Sequence, residues 1–165
     1  MKFALSVLYV SFIGVLSFFI GLILPRSWFK EDCFPYKTAE FENGGKIYEK
    51  LAIRKWKAKV PDMSKVMKDM LPKTVSYGAN SNDLQMLIKE TCIAEFIHFA
   101  LCILSLGVYY FWKNEIGIIL SGIAVFCNIP FILIQRYNRP HLIALRDRKR
   151  LREEKHKNEN THSFG

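Results

Sequence analysis

Glu95 and His98 are the residues of this chain whose types and spacing point most directly to chemistry. They stand i, i+3 in an unbroken helical pattern, so their side chains leave the same face. An imidazole is the usual group for taking a proton from a hydroxyl, and a nearby carboxylate can hold the ring in its useful tautomer. The pair lies at the start of an apolar run, Ala94–Trp112. Ionisable groups are costly there and as a rule face a protein interior or a wet cavity. Asp62, in the turn Pro61-Asp62-Met63-Ser64, is the other acid in reach of such a role, and it equally suits the cap of the short helix that follows. Asn128 stands in a second apolar run, two residues before Pro130. It reads either as a substrate contact or as the partner of a carbonyl that proline leaves free.

Long helices must position these groups. From Asp83 to Trp112 there is no proline, and no glycine before Gly107, which predicts one helix of about 30 residues, or about 45 Å. Thr91, Cys102 and Ser105 extend the face of Glu95 and His98. Gly117, Ser121, Ala124, Asn128 and Gln135 form a matching small and polar stripe on the next helix. Lys113-Asn114-Glu115 joins the two as a tight hairpin. Phe3–Leu24 adds 22 uncharged residues, and Ala94–Trp112 and Ile116–Ile134 are apolar runs of 19 residues each, the first interrupted only by Glu95 and His98; a span needs about 20. The first run exceeds a secretory signal's core and no small-x-small site follows it, so a retained anchor is expected. Within it Gly14, Ser17 and Gly21 offer a small face for helix packing.

A chain of 165 residues makes one domain. Half of it is hydrophobic, yet its net charge is +9. Those figures separate cleanly by segment: Arg26 to Lys89 holds 13 Lys or Arg and Gln135 to Gly165 nine, against one each in the N-terminus and the hairpin. Basic segments stay in the cytoplasm, which predicts a multi-pass protein of the cell membrane with its N-terminus outside and its C-terminus inside. Lys46–Val60 reads as a cationic amphipathic helix bearing Trp56, an element that lies in the membrane interface. The alternative use of its cations is phosphate binding. After Glu154 no core-forming residues remain, and residues 155–165 are expected to be a disordered basic tail. The cysteines at 33, 92, 102 and 127 show neither metal-ligand nor disulfide spacing. The expected fold is an all-α membrane protein, with three transmembrane helices and a basic interfacial helix forming one domain over residues 1–154.

Three stretches carry a resemblance. They are Arg54-Lys55-Trp56-Lys57 with Asp62 after it, Glu90-Thr91 with Ala94-Glu95 and His98, and Asn128-x-Pro130 followed by Gln135-Arg136-Tyr137-Asn138-Arg139-Pro140. In this order and spacing the chain resembles the glycosyl-4,4'-diaponeurosporenoate acyltransferase family, small membrane enzymes of bacterial carotenoid pathways. The likeness covers roughly residues 41 to 145, and His141 stands where a second arginine is expected. It implies transfer of a fatty acyl group to a sugar hydroxyl of a glycolipid or glycosylated terpenoid. The expected catalytic residues are His98 as general base, with Glu95 or Asp62 orienting it. Asn128, Gln135 and Arg136 are candidates for stabilising the oxyanion. Arg54, Lys55, Lys57 and Arg139 are candidates for binding the anionic donor, acyl-coenzyme A or acyl carrier protein, and Trp56, Tyr137 and Asn138 complete the expected substrate-binding set. No cofactor, metal or nucleic acid is expected; membrane lipids, donor and acceptor are the partners.

The chain has no His-x4-Asp acyltransferase motif and no Gly-x-Ser-x-Gly nucleophile elbow. Direct attack by the acceptor is therefore expected, without an acyl-enzyme. A di-iron centre needs a second Glu-x-x-His and further carboxylates, which the spans do not supply. The competing class is a non-enzymatic membrane module that binds anionic lipid through its basic helices.

Overall fold

Every element among the described residues is helical. The computed structural model describes residues 1–57, 60 and 80–162. Helix α1 covers Lys2–Ile23, α2 Lys46–Lys50, α3 Ile53–Trp56 and α4 Ser81–Ser105. A 3-10 turn, Leu106–Val108, leads into α5, Tyr109–Trp112, and α6 runs from Glu115 to His162. Three stretches are long and apolar enough to cross a membrane: Lys2–Ile23, Ser81–Trp112 and Glu115–Glu159. Large apolar side chains such as Phe3, Leu8, Phe12 and Phe126 are mostly exposed; in water this would be unfavourable, and in lipid it is expected. The chain is an all-α membrane protein.

Antiparallel packing of α4 on α6 is the centre of the molecule. Positions 84, 88, 91, 95, 98, 102 and 105 of α4 alternate steps of four and three, the spacing of a helix seam. Leu84, Ile88, Thr91, Glu95 and Ser105 on that seam are buried. Asn80 caps α4 by accepting from the Asp83 amide, while the Asp83 carboxylate accepts from the Asn80 amide, a reciprocal pair that satisfies two free donors. The hairpin closes as its residues predict. Lys113 takes the left-handed conformation at φ 51°, and Asn114 Oδ1 accepts from the Gly117 amide. α6 then continues as one helix through Pro130 and Pro140, although each proline removes a backbone donor.

Helix α1 leans on this pair through Ser6, Ile13 and Ser17, which are buried. At Gly21 a side chain would meet Ile97 at 3.5 Å, whereas a Cβ at Gly14 would meet no neighbouring element within 4 Å. The small face therefore packs at Ser17 and Gly21 only. Trp112 Nε1 donates to Ser6 Oγ at 2.9 Å, tying the far end of the hairpin to the start of α1. At the other end Arg26 donates to the carbonyls of Leu22 and Leu24 and pairs with Glu90 at 2.9 Å. This places a cation on the free carbonyls of a helix C-terminus.

The basic segment expected as one helix over residues 46–60 is helical in two short pieces, α2 and α3. Ala52 between them adopts φ 51°, which breaks the ladder. Tyr48 and Ile53 are buried and pack with Ile134 and Tyr137 of α6, with Trp56 against them. Gly45 begins α2 at φ 92°, and a side chain there would sit 3.5 Å from Pro140 and 3.6 Å from the Tyr137 carbonyl. Gly45→Ala should lower the melting temperature of detergent-solubilised protein, at an expected cost of about 1–2 kcal/mol for an L-residue in that conformation. At the C-terminus the chain remains helical to His162, where disorder is expected from residue 155. Its exposed charges support it locally, with Arg150 and Glu154 paired at 3.0 Å one turn apart.

Candidate functional site

The expected pairing of the two polar stripes is present. His98 on α4 faces Asn128 on α6, with Nδ1 3.0 Å from Oδ1. Asn128 Nδ2 donates to the Ala124 carbonyl at 3.0 Å. That bond requires the amide nitrogen, so the oxygen is the atom turned to the ring. His98 Nδ1 therefore carries the hydrogen when the ring is neutral, and the basic lone pair lies on Nε2. The Phe131 ring stacks on the imidazole at 4.4 Å and 10°. The carbonyl that Pro130 leaves free belongs to Phe126, so Asn128 is not its partner; the side chain bonds one turn earlier and holds the histidine. Cys102 Sγ lies 3.8 Å from the Val125 carbonyl, continuing the same seam.

Glu95 does not hold the ring. Its Oε1 accepts from Arg136 Nε at 2.8 Å, and its Oε2 pairs with Arg139. Arg136 also pairs with Glu42 and donates to the Pro35 carbonyl. Arg139 donates to Thr91 Oγ1 at 3.0 Å, to the Thr91 carbonyl at 3.2 Å and to the Tyr36 carbonyl at 2.7 Å. Two carboxylates and two guanidiniums thus close a neutral network below the imidazole. Arg139 is only 2% exposed and Glu42 1%. Arg139, expected as a contact for donor phosphates, and Arg136, expected at the oxyanion, have their donors committed inside the protein. Of the oxyanion candidates, Gln135 is buried on the α4-facing side between Asn128 and Arg139. Its amide makes no hydrogen bond to a described residue.

The remaining expected residues fall in two places. Lys57 Nζ donates to Asn138 Oδ1 at 3.0 Å and sits 4.8 Å over the Tyr137 ring. Burial, with the nearby Arg54 charge, lowers the Lys57 ammonium pKa from its usual value. Trp56 Nε1 donates to the Leu51 carbonyl. Arg54 and Lys55 project outward and are exposed. Asp62, with its turn, lies outside the described residues, as does the rest of the expected helix after Lys57 apart from Val60.

Sequence reasoning missed Glu42, Phe131 and Tyr36. A glutamate before Asn43-Gly44-Gly45 looks like a solvated loop charge. The signal that finds it is a charge count: two arginines at the edge of hydrocarbon need two carboxylates, and Glu95 supplies one. Glu42 also acts on Tyr48, whose phenol is held above its usual range by burial and then by that carboxylate's charge.

Residues 25–148 match the family model described as glycosyl-4,4'-diaponeurosporenoate acyltransferase. The chain is 30% identical over 138 residues to proteins of that name from Staphylococcus aureus strains bovine RF122 / ET3-1, MRSA252 and N315. Each alignment covers 83% of this chain and 83% of the relative. No solved structure matches. The matched stretch contains the whole His98–Asn128 seam, the Glu42–Arg136–Glu95–Arg139 network and the segment that closes over them, and with that coverage the chain belongs to the glycosyl-4,4'-diaponeurosporenoate acyltransferase family, whose members are acyltransferases.

Proposed function

We propose that this acyltransferase moves a fatty acyl group from a thioester donor to a sugar hydroxyl of a glycosylated terpenoid or related glycolipid, with His98 as general base. The observation that supports this reading is the His98–Asn128 bond at 3.0 Å, which puts the ring's basic lone pair on Nε2. The acceptor oxygen attacks the thioester carbonyl as Nε2 takes the hydroxyl proton. The carbon–sulfur bond then breaks and the imidazolium returns the proton to the leaving thiolate, so an ester and a thiol leave together. Asn128 is a positioning residue. Gln135 is the oxyanion donor, because Asn128 Nδ2 and the Arg136 guanidinium are already engaged. The buried ion pairs fix the register of α6 against α4 and so set the His98–Asn128 distance.

The site works at the cytoplasmic leaflet, with the N-terminus outside and both basic regions inside. Arg54 and Lys55, exposed on α3, face anionic headgroups and draw anionic donors to that surface. The acyl chain lies along the apolar helix surfaces in the bilayer. The relatives are named for a glycosylated diaponeurosporenoate, and an acceptor of the same kind (sugar head, long apolar tail) suits a site at the membrane edge. The test is purified protein in nanodiscs with an acyl thioester and a glycosylated acceptor, alongside lipid profiles of cells with and without the protein. An added ester-linked acyl group is expected in both. Identical lipid profiles, together with no ester from any thioester donor, would sink the proposal.

A further inference from the structure

A cavity of about 760 Å³ lies away from His98, between the segment after α1, the first turns of α4 and the late part of α6. Its walls carry Lys30, Lys37, Lys89 and Arg146 against the two carboxylates Glu31 and Asp32, an excess of two positive charges. Glu31 and Arg146 are paired with each other, and both bond to Gln85. Burial would raise the Glu31 pKa, but hydrogen bonds from its own backbone, Gln85 and Arg146 outweigh it and hold the carboxyl below its usual range. The charges of that wall satisfy each other. Lys30, Lys37 and Lys89 form no ion pair with a described carboxylate.

The volume is that of a small-molecule site, and converging lysines without carboxylate partners suit phosphate. Position adds a second constraint. Lys89 and Gln85 lie nine and thirteen residues before His98 on the same helix, about 14–20 Å at 1.5 Å per residue. Phe29 lines the cavity and also packs in the buried cluster of Cys92 and Ile93, with Ile97 against it, so the cavity adjoins the packed face of α4 one residue short of the imidazole. An anion anchored here by its phosphates has its reactive end at His98 only if a long, thin arm joins the two. The pantetheine arm of coenzyme A is of that length and shape.

We infer that this cavity binds the nucleotide phosphates of an acyl-coenzyme A donor, with Lys30, Lys37 and Lys89 as the anion contacts and the pantetheine arm running along α4 to His98. This rests on the acyl-transfer reading and chooses its donor. The volume is that of one small molecule, and an acyl carrier protein is the alternative donor that the test separates.

Free coenzyme A, titrated calorimetrically into the full chain in phosphatidylcholine nanodiscs, tests the inference without turnover. The wild type should bind. Lys30→Gln/Lys89→Gln, melting as the wild type does, should bind at least about tenfold more weakly, the scale of one or two charge-assisted hydrogen bonds. Lys37→Gln should weaken binding less and supplies the answer if the double variant fails to fold. Binding that is equal in wild type and variants overturns the assignment. So does binding that vanishes in phosphatidylglycerol discs, because the occupant is then a lipid phosphate. If the wild type does not bind coenzyme A but transfers acyl groups from an acyl carrier protein, the cavity assignment fails while the acyltransferase reading stands.

Discussion

A His98→Ala protein is expected to insert, melt close to the wild type and turn over at least about 10²-fold more slowly, the usual scale of general base catalysis. The fold should survive because the seam's buried ion pairs among the described residues are those of Glu42, Glu95, Arg136 and Arg139. Among the described residues the His98 ring stacks on Phe131 and bonds the Asn128 amide, and it is only half-buried. Loss of that stacking costs about 1 kcal/mol, far less than the catalytic effect. Asn128→Leu provides the complementary measurement. Its amide does not touch substrate in the proposed mechanism, so its loss should act through the ring: a lower kcat at unchanged donor KM, and an altered pH–rate profile because the favoured tautomer is lost. Asn128→Asp should partly restore the rate, since a carboxylate also accepts from Nδ1. Normal product formation by a well-folded His98→Ala protein would remove the imidazole from the mechanism.

The seam was legible in the sequence because periodicity reports which residues share a face. His98 on one helix and Asn128 on the next do meet, Thr91, Glu95 and Cys102 reach the same helix at Arg139, Arg136 and the Val125 carbonyl, and Ser121 and Gln135 are buried. Periodicity does not report which partner a side chain chooses among several within reach. Glu95 stands one turn from His98, yet it turns to Arg136 and Arg139. At the edge of a low-dielectric region an ion pair is favoured far more than a bond to a neutral ring, so the guanidiniums take the carboxylate and the amide takes the imidazole. The six-residue stretch from Gln135 to Pro140 similarly read as hydrogen-bonding capacity for substrate. Its two arginines have instead been used to hold the protein together, because their partners Glu42 and Tyr36 come from a loop with no periodic signal. The basic segment shows the same limit. Its apolar positions do pack on α6, but the left-handed Ala52 that divides it is imposed by that docking and leaves no trace in residue type.

Glu95→Ala is expected to lose the native fold, with a destabilisation of about 3–5 kcal/mol, the usual result of removing one partner from a buried pair. The substitution leaves Arg139, which is 2% exposed, without its carboxylate and takes from Arg136 one of its two. Neither guanidinium can neutralise itself by losing a proton. The expected observation is aggregation in detergent or a large fall in melting temperature, with turnover lost in consequence. Glu95→Gln separates this from a catalytic role: the amide retains hydrogen-bonding oxygen but no charge, so stability should fall by an intermediate amount and residual activity should follow the folded fraction. A Glu95→Leu/Arg139→Leu double substitution gives a sharper comparison, because it removes one charge of each sign together. If the network is structural, that pair should be more stable than Glu95→Leu alone, and the sign of this coupling measures the bridge in place. A Glu95→Gln protein with unchanged melting and a turnover loss matching His98→Ala would instead make the carboxylate part of the proton-transfer chain. The His98–Asn128 geometry argues for the first outcome, since the ring already has its orienting partner.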